Sequence, residues 1–268
     1  MCRDARGLDL DPWQRLSYFP ASPLCSLTWS LDGGHGERVL GPFPQREATP
    51  DDPRERFPST VLLGGPFNQP SVAYSAGPVH GLMLAFMPDA LHLLTGVQPA
   101  ELVNKLVDAR EVLPSDWVDW ALSLSAMPDD ASRRAAIDAF LVPRWAAVNP
   151  RGDTLRGRYE DWATHLAARA AMTSTGRTLR QAERLVKRWT GQPMRELQGV
   201  SRLEQAFFAR LAAEAQEDAC WAGVAADAGY ADQSHLTRAT RRMTGFPPEE
   251  LRRRIREQEG FWPYRTWM

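Results

Sequence analysis

Cysteine is scarce here and follows no pattern. There are three, Cys2, Cys25 and Cys220, an odd number with none of the short spacings of a zinc site. A disulfide framework is excluded, and three free thiols are expected. Histidine is also sparse, and the three in the first half, His35, His80 and His92, stand far apart. A cupin-type centre needs a His-x-His cluster with a carboxylate and a further histidine, so no metal and no cofactor is expected. A DNA-repair methyl acceptor would need a Pro-Cys-His-type setting, whereas Cys25 follows Pro23-Leu24 and precedes Ser26. An enzyme with a cupin-like or DNA-repair first half is the second-placed alternative, and no catalytic residue is assigned.

Long apolar runs are missing as well. None approaches the ~20 residues that cross a bilayer, and Arg3, Asp4 and Arg6 lead into no apolar block of the kind a signal peptide carries. A cytoplasmic protein without a membrane partner is the expectation. Net charge is nearly absent at −1, but its distribution is uneven. Residues 1–149 hold 12 Lys+Arg against 18 Asp+Glu, and residues 150–268 hold 20 against 15. An acidic half joined to a basic half is what results when one half meets a polyanion.

What is present divides at two places. Residues 1 to about 88 carry short alternating runs, Leu24–Leu31, Thr60–Leu63 and Val79–Met87, punctuated by Gly and Pro; these predict strands of a small antiparallel barrel or sandwich. Gly41 to Pro58 predicts a long surface loop. From Ala90 the spacing turns helical, over 90–95, 100–107, 117–125 and 131–142, with Ser115 and Asp130 as caps. These helices offer a face for a homodimer. Pro143 to Gly152 predicts a linker. The domains are then 1–149, β-rich with a helical end; 150–258, all helical; and 259–268, a tail. The fold class is α+β.

In the basic half, Trp162, Leu166, Ala167 and Ala170 form an apolar stripe, broken at Thr173–Gly176. Thr178 then caps a basic amphipathic helix, Leu179–Trp189, stopped at Thr190-Gly191. The pattern repeats at the end of the chain. Ala225–Tyr230 turns at Gly229, Asp232 caps a second basic helix over 232–243, Thr244-Gly245 stops it, and Pro247-Pro248 prevents a restart. Between the two units Met194–Ala215 predicts one helix of about 30 Å at 1.5 Å per residue, close to the ~34 Å between successive major grooves.

Residues 154–256 resemble the AraC-type transcriptional regulators. The resemblance rests on Ala-x-x-x-Gly-Tyr at 225–230, on Asp232, Ser234, Leu236, Arg238 and Arg241, and on Thr-Gly-Phe-x-Pro at 244–248. Departures are Thr240 for a usual Phe, Pro247 for Ser, Ala182 and Val186 for Leu and Phe, and Met194 for Pro; Trp189 and Trp221 are available to refill the lost volume. More weakly, 81–90, 94–96 and 108–113 resemble the β-rich amino-terminal domain of a bacterial subset of the family. The resemblance implies a sequence-specific regulator with double-stranded DNA and RNA polymerase as partners and a small-molecule effector left open. Carried across by position, base-edge candidates are Arg180, Glu183, Arg184, Gln233, Ser234, Thr237 and Arg238; phosphate candidates are Thr178, Lys187, Arg188 and Arg241. Arg252-Arg253-Arg254 reads equally as phosphate contacts or as a solvated run offset by Glu249, Glu250 and Glu257. The aromatics Trp13, Phe19, Trp29, Phe43, Phe57, Phe67, Tyr74 and Phe86 would line an apolar effector pocket or, with more weight, form plain core.

Overall fold

The computed structural model describes residues 2–32, 34–77, 79–149, 162, 166, 167, 170, 179–214 and 221–267. Its first half is antiparallel throughout. Among the described residues nine strands, β1 (Cys2–Asp4), β2 (Leu16–Phe19), β3 (Cys25–Ser30), β4 (Glu37–Val39), β5 (Arg54–Arg56), β6 (Val61–Gly64), β7 (Ser71–Tyr74), β8 (His80–Phe86) and β9 (Leu106–Asp108), form two sheets. A five-stranded sheet runs β1-β8-β3-β6-β9 and a four-stranded sheet runs β2-β7-β4-β5.

The two sheets do not share a core. Alternation in β3 turns Cys25, Leu27 and Trp29 to one face, in register with Phe86, Leu84 and Leu82 of β8. That face is covered by α3 (Ser115–Ser125) and α4 (Asp130–Val148), which contribute Trp117, Trp120, Leu124 and Phe140 to the same cluster. Trp29 Nε1 donates to Ala121 O at 2.7 Å, which satisfies the polar end of a buried indole. The four-stranded sheet turns Leu16, Tyr18, Val39 and Val72 into a different cluster, which Ala21 and Ala48 join from nearby loops and whose other buried members come from beyond residue 199. One core is therefore shared by both halves of the chain.

Several local expectations shift. The helix expected over 100–107 is a 3₁₀ turn, Pro99–Leu102, followed by β9. Asn104 takes a positive φ of 59° and turns the chain, and Leu106–Asp108 then pair with β6 as the sheet edge. Pro143 does not begin a linker, because α4 runs through it to Val148. Proline there removes one backbone donor, while Arg144 Nη1 donates back to Phe140 O at 3.2 Å and its guanidinium lies over the Phe140 ring. Caps sit one residue earlier than expected: Pro114 precedes α3, and Asp129, not Asp130, accepts from Ser132 N. The loop after Gly41 includes strand β5. Two short helices, α1 (Pro88–Thr95) and α2 (Ala109–Val112), complete the half.

The second half contains α5 (Leu179–Thr190), α6 (Met194–Glu214), α7 (Trp221–Asp227), α8 (Gln233–Thr244), α9 (Pro248–Glu257) and a 3₁₀ segment, Glu259–Trp267. Residues 259–267 lie against β2. Phe261 and Tyr264 are fully buried, and Phe261 stacks on Tyr18 at 4.7 Å between ring centroids. Gly260 fits because a Cβ there would run into Leu16 O. Among the described residues, no helix is long and apolar enough to cross a membrane.

Candidate nucleic-acid interface

Helix α8 is built as its sequence implies. Asp232 stands in extended backbone and accepts from His235 N at 2.6 Å, satisfying a donor that the first turn leaves free. Gly229, at φ 72°, makes the preceding turn, and Tyr230 N closes it on Ala225 O at 2.8 Å. Burial pushes the Tyr230 phenol above its ordinary pKa; its ring meets His235 edge-on. Leu236, Thr240 and Met243 face the core, Gln233, Ser234, Arg238 and Arg241 are exposed, and Thr237 is half-buried. The base-edge candidates of this unit thus share one outer face.

Thr240, where the family prefers an aromatic residue, is fully buried. Its hydroxyl donates to Leu236 O at 2.9 Å, so burial leaves no unpaired donor. Aromatic volume comes from elsewhere. Tyr18 and Phe43 from the first half pack with Phe246 and Phe261 at centroid separations of 4.7–5.8 Å. Trp221 packs edge-on to Phe207, and Trp189 flanks the separate small core of the first unit.

Helix α5 repeats the pattern on a smaller core. Val186 and Thr190 are buried, while Arg180, Glu183, Arg184, Lys187 and Arg188 are exposed. Val186 joins Trp162, Leu166, Ala170 and Leu197, and Trp162 Nε1 donates to Asp89 in α1. Thr178, expected to cap α5 and touch phosphate, lies outside the described residues. Among the described residues, Arg180, Arg184, Lys187, Arg188, Arg238 and Arg241 make no ion pair. Neighbouring arginines differ: Arg242 reaches Glu196 at 3.8 Å, Arg253 pairs with Glu257 at 3.0 Å, and Arg252 grips Glu249. Arg254 is buried between Glu47 and Glu250, with Nη2 at 2.8 Å and 2.7 Å from their carboxylates. The Arg252–Arg254 run is thus already paired, and Glu47 makes part of it an inter-half contact. Arg252, with Trp221 Nε1, holds the Glu249 carboxyl down to about 2.

Both units lean on the first half at the points where α5 and α8 stop. At Gly191, φ 74°, an added Cβ would come within 2.6 Å of Val103 Cγ2 and 3.2 Å of Ala100. At Gly245, φ 86°, it would come within 2.5 Å of Phe43 Cζ. Ala21 N, from the segment after β2, donates to Met243 O at 2.8 Å, taking up one of the carbonyls that the end of α8 leaves open. None of this docking was legible in the sequence, where Thr-Gly marked only a helix stop and Phe43-Pro44 only a loop. The one signal was a Pro-bracketed aromatic residue in an otherwise polar loop.

The aromatics expected to line one pocket are dispersed. Trp29 and Phe86 sit in the helix-covered core of the five-stranded sheet, Phe43 and Tyr74 border the shared core, and Trp13 is exposed. Of the histidines, His35 and His92 each meet a backbone carbonyl, those of Phe57 and Val97. Cys25 is fully buried, and burial pushes its thiol up to about 12, which makes it a poor nucleophile.

Helices α5 and α8, the second preceded by the turn at Gly229, each show a basic outer face of the kind a helix–turn–helix DNA-binding protein presents. Residues 167–254 match the family described as a helix-turn-helix domain. That family is of AraC type, and the match covers this stretch of the chain. Among solved structures, an apo variant of ToxT from Vibrio cholerae strain SCE256 is 11% identical over 88% of this chain and 95% of that one, with a TM-score of 0.39. A 1.65 Å structure of ToxT from Vibrio cholerae is 10% identical over 88% and 93%, also at 0.39. ToxT from strain SCE256 with an unsaturated fatty acid bound is 10% identical over 88% and 93%, at 0.35. Superpositions this loose carry no property from those proteins to this chain. No curated protein matches it in sequence.

Proposed function

We propose that the protein is a cytoplasmic, sequence-specific transcriptional regulator that inserts α5 and α8 into two successive major grooves. The observation that carries this reading is the pair of exposed basic faces whose candidate residues make no ion pair among the described residues, joined by α6, whose 21 residues span about 31 Å. That length suits grooves ~34 Å apart on one side of the duplex. Arg180, Arg184 and Arg238 can each grip guanine O6 and N7, Gln233 can pair with adenine, and Ser234 and Thr237 add single hydrogen bonds. Glu183 can accept from cytosine N4. Lys187, Arg188 and Arg241 would neutralise phosphates, the main source of affinity. RNA polymerase would be the partner through which bound DNA is read out.

Control through the first half has a physical route, since the shared core joins the four-stranded sheet to α8 and α9. A small effector would act at the cleft of about 270 Å³ lined by Arg38, Phe43, Phe67, Gln69 and Asn104. Phe43 forms one wall of it and also packs against Gly245. In vitro selection of duplexes by the purified protein tests the reading. A selected site of about 20 bp with steep salt dependence supports it, and an inverted or repeated site identifies a dimer. Equal binding to all duplexes at moderate salt removes it.

A further inference from the structure

His80 differs from the other histidines of the first half because its partners are side chains. It is buried at the start of β8, where Nε2 lies 3.8 Å from Cys2 Sγ and 3.5 Å from Asp130 Oδ1. Cys2 Sγ in turn donates to Asp130 Oδ2 at 3.1 Å. The residues come from the edge strand β1, its neighbour β8 and the first residue of α4, 128 positions apart along the chain at the extreme. We propose that Cys2, His80 and Asp130 form a mononuclear binding site for a thiophilic divalent cation of the zinc type, with the fourth coordination position open to solvent.

The geometry is the first support. Zinc bonds to sulfur at about 2.3 Å, to imidazole nitrogen at about 2.0–2.1 Å and to carboxylate oxygen at about 2.0–2.2 Å. Tetrahedral angles then place the three donors roughly 3.3–3.6 Å from one another, by the geometry of those bond lengths. Sulfur and nitrogen stand 3.8 Å apart, and Asp130 sets Oδ2 at 3.1 Å from the sulfur and Oδ1 at 3.5 Å from the nitrogen, so one carboxylate oxygen reaches the third position by rotation of the side chain without any change of backbone. Only small side-chain adjustments would centre an ion.

The order of contacts is the second support, because it distinguishes a metal site from a thiol nucleophile. In a catalytic triad the carboxylate holds the imidazole nitrogen far from the nucleophile. Here Asp130 meets the thiol and the same Nε2 that faces it, so three donors converge on one point instead of forming a relay. Charge also balances. Thiolate and carboxylate together neutralise a divalent ion, and the thiol proton leaves to solvent when the ion binds. Arg133 places a positive charge beside Asp130. It is held by Leu124 O, Met127 O and Asp130 Oδ1, an arrangement that orients the carboxylate from outside the site.

Occupancy would tie β1 to α4. Alternation in β1 turns Arg3 to the other face, where it pairs with Glu259 at 3.2 Å, donates to Ser17 and lies over Trp262. A cation on Cys2 would therefore stiffen the strand that anchors the carboxy-terminal segment on the first half.

The test uses the full chain, reduced and stripped by a chelator, titrated with Co²⁺ and then Zn²⁺. One equivalent of Co²⁺ should produce a thiolate-to-cobalt charge-transfer band that Zn²⁺ displaces. Cys2→Ser should abolish the band, and Cys220→Ser should leave it intact. Asp130→Asn and His80→Gln should weaken affinity by at least the ~10–100-fold that changes outside the ligand shell cost. Cys2 and Asp130 are exposed, so their variants should keep the wild-type circular dichroism even if the buried His80 variant does not. Absence of the band at one equivalent, or a band undiminished in Cys2→Ser, would overturn the site. Neither result bears on DNA binding.

Discussion

Helices α5 and α8 stop in the same manner. In each a threonine hydroxyl bonds one turn back, Thr190 to Val186 O and Thr244 to Thr240 O, and a left-handed glycine follows. What lies beneath them differs. The first unit closes a small cluster around Trp162 and Val186 and touches the first half at α1 and the 3₁₀ turn. The second is continuous with the four-stranded sheet through Tyr18, Phe43, Phe246 and Phe261. A repeated local pattern has thus been given two different supports, and they should fail differently. Damage to the core of unit two should propagate into the first half, whereas damage to unit one should stay local.

The largest effect is expected from the shared core. Phe261→Ala should cost about 3–5 kcal/mol in urea unfolding and raise hydrogen exchange in β2. Val186→Ala should cost less and leave β2 protected. If exchange in β2 is unchanged in Phe261→Ala, the continuity of the core is wrong.

The glycines give the next largest effect and sharpen the same contrast. Gly229→Ala, with nothing within 4 Å of the new Cβ, should cost only the roughly 1–2 kcal/mol of the left-handed backbone. Gly245→Ala and Gly191→Ala should each exceed it by about 1–3 kcal/mol, because the methyl meets Phe43 or Val103. Trimming Phe43 should relieve the first and Val103 the second, with no cross-relief between the units.

On DNA, Arg184→Ala and Arg238→Ala should each cost about 1–3 kcal/mol at one base pair, in different half-turns of the site. Lys187→Ala should weaken all sequences alike and lower the salt slope by about 1. Loss of preference at the same position in both arginine variants would break the two-groove arrangement.

The smallest effect concerns pH and unit two alone. Arg252 holds Glu249 at about 2, below the ordinary 4.5, so the pair is bound more tightly when the carboxyl is charged. Its contribution is complete above the unfolded value and fades as pH falls from there through about 2. Denaturation curves of wild type and Glu249→Gln should therefore differ above pH ~5 and converge in strong acid. Glu249 is exposed and Arg252 half-buried, so the difference should be small and further reduced by salt.

Much of the second half was legible because its signals are local. Asp232, Gly229 and the two Thr-Gly stops each act through backbone within a turn or two, so spacing alone placed α5 and α8 within a residue of their observed ends. The first half was read less well. The alternating runs located β3, β6 and β8, but a helical spacing at 100–107 gave way to the edge strand β9, where the open ladder of β6 supplied pairing that periodicity does not encode. The spacing predicts a break at Pro143, yet α4 runs on; Phe140 before it packs on Trp117 and Trp120, and Arg144 after it lies back over Phe140. The aromatic positions were identified without their grouping, since alternation says which residues face inward and not which core they join.

The residue order by itself determined the two basic helices, the Asp232 cap, the two Thr-Gly stops and the α+β composition, because hydrogen bonds across three or four residues need no distant partner. Only the tertiary structure decided that the four-stranded sheet and α8 share one core, that Arg254 is buried against Glu47, and that Cys2, His80 and Asp130 meet. Each of those contacts joins residues at least 50 positions apart. Which of many apolar or charged groups come together at that separation depends on how whole faces pack and exclude water, a property of the assembled chain and of no single stretch of it.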